Sequence, residues 1–69
     1  MKQRKKGNDV KKLREDLLMS KAELAKAAGL SVLTIDRVES GKSSRMATKR
    51  KIIKALGLSL GDKSKVFFD

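Results

Sequence analysis

The side chains of this sequence with the most evident chemistry are cations and hydroxyls. The chain contains 18 lysines and arginines against 8 aspartates and glutamates, which gives a formal net charge of +10 and a pI near 10.3. Six of the cations lie between residues 42 and 54, where there is no acidic residue. On so small a chain this charge creates a positive field that attracts polyanions over about a Debye length. The pattern therefore predicts a polyanionic partner.

Histidine and cysteine are both absent, which restricts the chemistry further. Thiolate or imidazole metal sites, cysteine nucleophiles and histidine general bases each need one of these residue types. We therefore expect no enzymatic activity, no metal site and no cofactor. The only aromatic residues are Phe67 and Phe68, so the stacking surfaces of proteins that bind RNA or single strands are missing. Duplex nucleic acid and an anionic membrane remain as candidate partners.

The elements that position these side chains must belong to one small domain, because 69 residues leave room for a single core. No apolar run approaches the roughly 18 residues of a membrane span. The first ten residues, MKQRKKGNDV, are charged and are not followed by the apolar segment of a signal peptide. We therefore expect the protein in the cytoplasm.

The two ends of the chain differ from its middle. Residues 1–7 (MKQRKKG) are predicted to form a flexible basic arm, whose cations are Lys2, Arg4, Lys5 and Lys6. A solvated tail that only aids solubility is the alternative. Residues 61–69 show no firm helical period and are a candidate dimerisation element; their apolar residues either pack across a twofold axis or fold back onto the chain's own helices. These residues are Val66, Phe67 and Phe68. The domain itself is expected to cover residues 8–60.

Two helices are predicted in the first part of the domain. Asn8 is expected to cap a first helix that runs to about Leu18. Its inward stripe at helical spacing is Val10, Leu13 and Leu17. The stretch SKAE, residues 20–23, has the pattern of a capping box, so a second helix begins at Lys21.

A glycine separates the second helix from the third. Gly29 ends the second helix, since a sharp turn there commonly requires a left-handed backbone that glycine adopts without penalty. Ser31 then caps a third helix over roughly residues 32–40. A fourth helix is expected from a cap at Ser44 to Gly57. Its core face is Ile52, Ile53 and Leu56.

Two short helices joined through so tight a turn must cross steeply and touch where their side chains are smallest, which is the geometry of a helix-turn-helix. The positions that this geometry restricts are the fifth, ninth, fifteenth and eighteenth from Lys21: Ala25, Gly29, Ile35 and Val38. A β-branched or charged residue at Ala25, or any side chain at Gly29, is expected to push the helices apart. An ordinary helical hairpin without function is the alternative.

The sequence of this motif resembles a known family. SKAELAKAAGLSVLTIDRVESGK is similar to the helix-turn-helix of Cro and the phage repressors, the XRE or lambda-repressor-like family. ATKRKIIKALGLSL resembles the fourth helix and following turn of that family. The resemblance covers about residues 9–60 and implies an all-α, compact domain of four to five helices with a central helix-turn-helix. The chain departs from the family at residues 61–63 (GDK), which interrupt the short apolar fifth helix.

The resemblance also implies a structural ion pair. Arg14 on the first helix would pair with Glu39 at the end of the third helix and so fix the angle of that helix. The alternative is a surface ion pair that stabilises the fold by only about 0–1 kcal/mol.

In a helix-turn-helix the N-terminal part of the second motif helix enters the major groove. The residues predicted to contact bases are therefore Val32, Leu33, Asp36 and Arg37. The methyl groups of Val32 and Leu33 suit thymine, and the Arg37 fork matches guanine. Asp36 either accepts a hydrogen bond from a cytosine amino group or holds Arg37 in position. The alternatives are packing against the neighbouring loop for the apolar pair, and a phosphate contact or a solvated side chain for Arg37.

Phosphate contacts require cations or hydrogen-bond donors near helix starts and in the loop that faces the backbone. The residues that meet this requirement are Ser20, Lys21, Thr34, Lys42, Ser43, Ser44 and Arg45. Such contacts fix the register of the protein on DNA, and they carry no sequence information.

The leading hypothesis is a sequence-specific transcriptional regulator, most simply a repressor, that binds a palindromic operator in double-stranded DNA as a homodimer. Leu58 and Leu60 are candidates for the dimer contact. A DNA-binding antitoxin, whose tail engages a toxin or another protein partner, is the second hypothesis. Binding to an anionic membrane is not favoured, because the cations flank a complete turn motif instead of forming one face of a long amphipathic helix.

Overall fold

The computed structural model describes residues 7–68, and all regular elements within that range are helical. The helices are α1 (Val10–Asp16), α2 (Lys21–Ala28), α3 (Val32–Glu39), α4 (Met46–Ala55) and α5 (Lys63–Val66), with a 3₁₀ turn over Leu60–Asp62 before α5. The predicted all-α domain of four to five helices is confirmed. The cations predicted to form the basic arm lie outside the described residues.

One core holds the helices together. Its fully buried side chains come from all five helices: Val10, Leu24, Ile35, Ile52, Ile53 and Val66. Leu56 and Ala25 are buried beside them. The predicted core face of α4 is therefore confirmed, and it follows from apolar residues at helical spacing. The restricted positions Ala25, Ile35 and Val38 are buried as well.

The side chain that fixes the start of α1 belongs to the residue just before the N-cap position. Asp9 is the N-cap residue but makes no capping hydrogen bond with its side chain. Instead the Asn8 side-chain oxygen accepts from the Val10 backbone N–H at 3.1 Å, and its amide donates to the Val38 carbonyl at 2.8 Å. The prediction that Asn8 is the N-cap residue is therefore wrong by one position, although its side chain does accept a hydrogen bond from the first residue of α1. Asn8 also joins α1 to the end of α3.

The end of α1 differs from the prediction. The helix stops at Asp16, and the two leucines that follow are exposed, Leu17 by 51% and Leu18 by 90%. Leu18 has a left-handed backbone (φ +59°), which turns the chain so that Met19 packs against the core. Arg14 occupies the buried position on this side of α1. The inward stripe is therefore Val10, Leu13 and Arg14, and the assignment of Leu17 to it is wrong.

The turn between α2 and α3 forms as its sequence predicts. Ser20 and Glu23 make a complete capping box, and the Ser31 side chain accepts from the Thr34 backbone N–H. Gly29 is left-handed (φ +71°), but a Cβ built there would meet no atom within 4 Å. The expectation that any side chain at Gly29 pushes the helices apart is therefore wrong, and backbone conformation is what favours glycine there.

The start of α4 is also different from the prediction. Its N-cap residue is Arg45, with an extended backbone and no side-chain capping bond. Ser44 lies one residue before the cap, so its assignment as the capping residue is wrong. The helix ends at Ala55, and Gly57 (φ +80°) then turns the chain toward the 3₁₀ segment.

The C-terminal segment folds back onto the domain. Val66 is fully buried and Phe67 is 4% exposed. Phe67 forms an antiparallel bridge with Asn8, supported by hydrogen bonds from the Asp9 N–H to the Val66 carbonyl (2.9 Å) and from the Phe68 N–H to the Gly7 carbonyl (2.8 Å). Of the two packing arrangements considered for Val66 and Phe67, the intramolecular one is observed. A domain boundary at residue 60 would separate Val66 and Phe67 from the core to which they belong.

We predict that Phe67→Ala lowers the free energy of unfolding by about 3–5 kcal/mol, because a buried aromatic ring leaves a cavity in a small core. The matched control is Leu60→Ala, which removes a side chain that is 47% exposed and should cost about 1 kcal/mol or less. Urea unfolding followed by circular dichroism measures both. Equal, small losses for the two variants would show that Phe67 does not belong to the core.

Candidate nucleic-acid interface

The outer face of α3 presents a pair of exposed apolar side chains. Ile35 and Val38 point into the core, which leaves Val32 (46% exposed) and Leu33 (65% exposed) on the opposite side. Asp36 and Arg37 continue the same surface one turn further on. We call these four outward-facing residues the recognition face. Methyl groups beside a guanidinium and a carboxylate give this face both apolar and hydrogen-bonding contacts.

Arg37 is available for an external partner. It is exposed and forms no ion pair within residues 7–68. The expectation that Asp36 holds Arg37 in position is wrong, because the Asp36 carboxylate points to α2, where Lys21 Nζ donates to its Oδ1 at 2.5 Å. Neighbouring residues on a helix diverge by about a quarter turn, so Asp36 reaches the adjacent helix and Arg37 does not.

The Lys21–Asp36 pair changes the charge behaviour of both groups. The hydrogen bond to Asp36 raises the pKa of Lys21, and the hydrogen bond from Lys21 lowers the pKa of Asp36. Both side chains therefore stay ionised at neutral pH. Because the Asp36 pKa is lowered in the fold, the pair contributes stability above the ordinary aspartate pKa and loses it as the pH falls through the folded value.

A groove separates α3 from the loop that follows it. Its walls are formed by Leu33, Thr34, Arg37, Val38, Ser43, Ser44, Arg45 and Thr48. The structure thus brings two residues of the recognition face together with four of the residues predicted to contact phosphate. Lys42 is exposed in the same loop. We call residues 42–45 the phosphate loop.

Sequence reasoning missed Thr48, which lines this groove. Thr48 is the third residue of α4, the position that Thr34 holds in α3. The criterion that selected Thr34, a hydroxyl in the first turn of a helix, therefore applies equally to Thr48.

The hydroxyls of Ser20 and Thr34 already make local hydrogen bonds. The Ser20 oxygen accepts from the Glu23 backbone N–H at 3.0 Å, while the Ser20 N–H donates to the Glu23 carboxylate at 2.8 Å. The Thr34 hydroxyl lies 3.0 Å from that of Ser31. In the capping box the Ser20 hydroxyl acts as an acceptor, so its own proton remains available to an anion.

A buried ion pair fixes α3 against α1. Arg14 Nε donates to Glu39 Oε2 at 2.7 Å and Nη2 donates to Oε1 at 3.1 Å, while Nη1 donates to the Met19 carbonyl at 2.8 Å. The two side chains are only 8% and 5% exposed, and the hydrogen bond to Glu39 raises the pKa of Arg14. A two-point contact of this kind restricts both the position and the angle of the end of α3.

The comparison with known protein families agrees with this geometry. A family model described as helix-turn-helix matches residues 10–63. The chain belongs to the Cro/C1-type XRE helix-turn-helix family. The predicted resemblance is confirmed, and the match extends through the 3₁₀ turn that follows residue 59. Neither the curated proteins nor the solved structures gave a match.

Membership of this family identifies the general function of the chain. The family consists of DNA-binding regulatory domains that are typically non-enzymatic, so the chain is a DNA-binding regulator. Among the helices within residues 7–68, none is long and apolar enough to cross a membrane.

We predict that Arg14→Met lowers the free energy of unfolding by about 3–5 kcal/mol, because it leaves the Glu39 carboxylate buried without a partner. The control is Lys12→Met on the same helix, whose exposed pair with Asp16 should contribute only about 0.5 kcal/mol. Urea unfolding of both variants is the measurement. If Arg14→Met proved as mild as Lys12→Met, the pair would not hold α3 in place.

Proposed function

We propose that this regulator is a sequence-specific transcriptional repressor that inserts α3 into the major groove of a palindromic operator and binds it as a dimer. The observation that carries the proposal is the recognition face. It combines two exposed apolar side chains with an arginine that has no ion-pair partner among the described residues, on a helix fixed by a buried ion pair. Methyl groups on the free face of a helix whose other face is buried suit contact with base edges in the major groove.

The base contacts are assigned to Val32, Leu33, Asp36 and Arg37. Valine and leucine methyl groups pack against the thymine C5-methyl, and the arginine fork donates to guanine O6 and N7. The Arg37 guanidinium is exposed and forms no ion pair within residues 7–68, which leaves its donors available to a base and supports this assignment.

The phosphate contacts are assigned to both borders of the recognition face. Ser20 and Lys21 open α2 on one side, and the phosphate loop lies across the groove on the other side. Thr34 lies between them in the first turn of α3. Placing donors on both borders suits the two phosphate backbones that flank a major groove.

The basic arm is assigned to further phosphate contacts. Gly7 lies against Gly41, since a Cβ built at Gly7 would be 3.7 Å from the Gly41 Cα and carbonyl oxygen. The chain therefore enters the fold beside the phosphate loop. This position supports a role for Lys2, Arg4, Lys5 and Lys6 in extending the cationic surface along the duplex.

Dimer formation is proposed because one recognition helix reads too few base pairs to select a site in a genome. Two copies on half-sites about one helical turn apart solve this problem. Because Val66 and Phe67 are buried, the contact is assigned to Leu60, which is 47% exposed. Leu60 lines a shallow pocket together with Met46, which is 58% exposed.

Selection of binding sites from random duplexes tests this function. We expect Arg37→Ala to weaken the best site by about 1–3 kcal/mol and to relax preference at one base pair, while Lys42→Ala weakens all sequences alike. Log affinity should fall linearly with log salt, with a slope that implies at least about four phosphate contacts per protomer. An unchanged motif for Arg37→Ala would remove the base-reading assignment, and affinity independent of salt would remove DNA binding.

A further inference from the structure

The ion pair between Lys21 and Asp36 spans the two functional surfaces of the motif. Lys21 is the first residue of α2, at the border assigned to phosphate, whereas Asp36 belongs to the recognition face of α3. Their atoms Nζ and Oδ1 lie 2.5 Å apart, and the side chains are 40% and 52% exposed. The pair is thus formed in the free protein and remains open to an external partner on both sides.

A carboxylate on a DNA-reading face requires a physical explanation, because phosphates repel it. Lys21 supplies that explanation by compensating the charge of Asp36 directly. Lys21 contacts only Oδ1 of Asp36, so Oδ2 has no hydrogen-bond partner among residues 7–68. Lys21 itself carries three N–H donors, of which Asp36 uses one. Each member of the pair therefore keeps hydrogen-bonding capacity for DNA.

We propose that Lys21 and Asp36 act as one reading unit, in which Lys21 bridges a DNA phosphate to Oδ1 of Asp36 while Oδ2 accepts a hydrogen bond from the amino group of a cytosine. This inference rests on the proposed function. It makes Lys21 a positioning residue, whose phosphate contact sets the carboxylate in the groove, and it assigns a base to Asp36.

The chemistry of the base edges identifies cytosine. An ionised carboxylate is an acceptor only, so guanine O6 and N7 and thymine O4, which are also acceptors, repel it. Adenine presents an amino group, but its N7 acceptor lies beside that group. Cytosine alone presents a donor without an adjacent acceptor on its major-groove edge. The hydrogen bond from Lys21 lowers the pKa of Asp36, which keeps the carboxylate in its acceptor form.

Two other roles for the pair make different predictions. A surface ion pair without a role in recognition would add a little stability and leave base preference unchanged. A masking pair would occupy Lys21 in the free protein, so that loss of Asp36 strengthens binding to every sequence alike. The outcomes of one experiment separate these roles from the reading unit.

The experiment compares selection from random duplexes by the wild type, Asp36→Asn, Lys21→Met and Lys26→Met. Lys26 is the matched control, because it is exposed on the same helix and has no ion-pair partner among the described residues. The wild type should select cytosine at one position of each half-site by roughly tenfold or more, as one good side-chain–base contact does. Asp36→Asn should change that position to adenine, because an asparagine amide matches adenine N6 and N7.

Lys21→Met should weaken binding and abolish the preference at the cytosine position, while the preferences elsewhere in the motif persist. Lys26→Met should retain the cytosine preference. Lys21→Arg, which restores a cation with several donors, should recover it. Circular dichroism melting of each variant checks that the fold is kept, as expected for side chains that are about half exposed.

The inference is overturned if Asp36→Asn selects the wild-type motif, or if it binds all sequences more tightly without a change of base. It is also overturned if Lys21→Met keeps the cytosine preference. In each of these cases, a sequence motif selected by the wild type would still support the proposed function, so the failure of this inference is distinguishable from the failure of that function. A wild type that selects no motif would overturn the proposed function and this inference together.

Discussion

The buried pair between Arg14 and Glu39 is the interaction on which the rest of the structure depends. Its guanidinium joins three parts of the chain: α1, the end of α3 and the carbonyl of Met19 in the turn before α2. Ionised groups so far from solvent are tolerated only when their hydrogen bonds are satisfied, and no buried side-chain polar atom in residues 7–68 lacks a partner. The pair therefore defines the arrangement in which α3 is presented, while the apolar core supplies most of the stability.

The two ends of the described chain complete this arrangement. Residues 7–9 pair with residues 66–68, and Asn8 donates to the Val38 carbonyl near the end of α3. The same end of α3 is thus held by an ion pair from α1 and by an amide that precedes α1. With one face in the core and one end fixed twice, α3 leaves its outer face exposed, and this is the face to which we assign DNA contact. Because the chain has no cysteine, this rigidity comes from side-chain and backbone hydrogen bonds and not from disulfides.

The local parts of this fold could be predicted from residue type and spacing. Its long-range contacts could not, except for the Arg14–Glu39 pair, which the family resemblance implies and the structure contains. The capping box at Ser20, the cap at Ser31 and the left-handed Gly29 depend on neighbouring residues, so they follow from residue type and spacing. Leu17 is exposed because α1 ends at Asp16, and Arg14 takes the buried position in its last turn. The burial of Phe67 depends on pairing with Asn8, which is distant in the sequence. Periodicity carries no information about either.

The candidate site shows the same division. The residues of the recognition face are predicted to contact bases from their place in the motif. The partner of Asp36 cannot be predicted in this way, because a side chain's reach to the next helix depends on the crossing of α2 and α3. The most direct test of the account is an NMR titration of the protein with a duplex that contains one selected half-site. Amide signals of residues 32–37, residues 42–45 and Lys21 should shift most, while those of residues 60–66 should change little. Shifts centred on residues 60–66, with residues 32–37 unaffected, would contradict it.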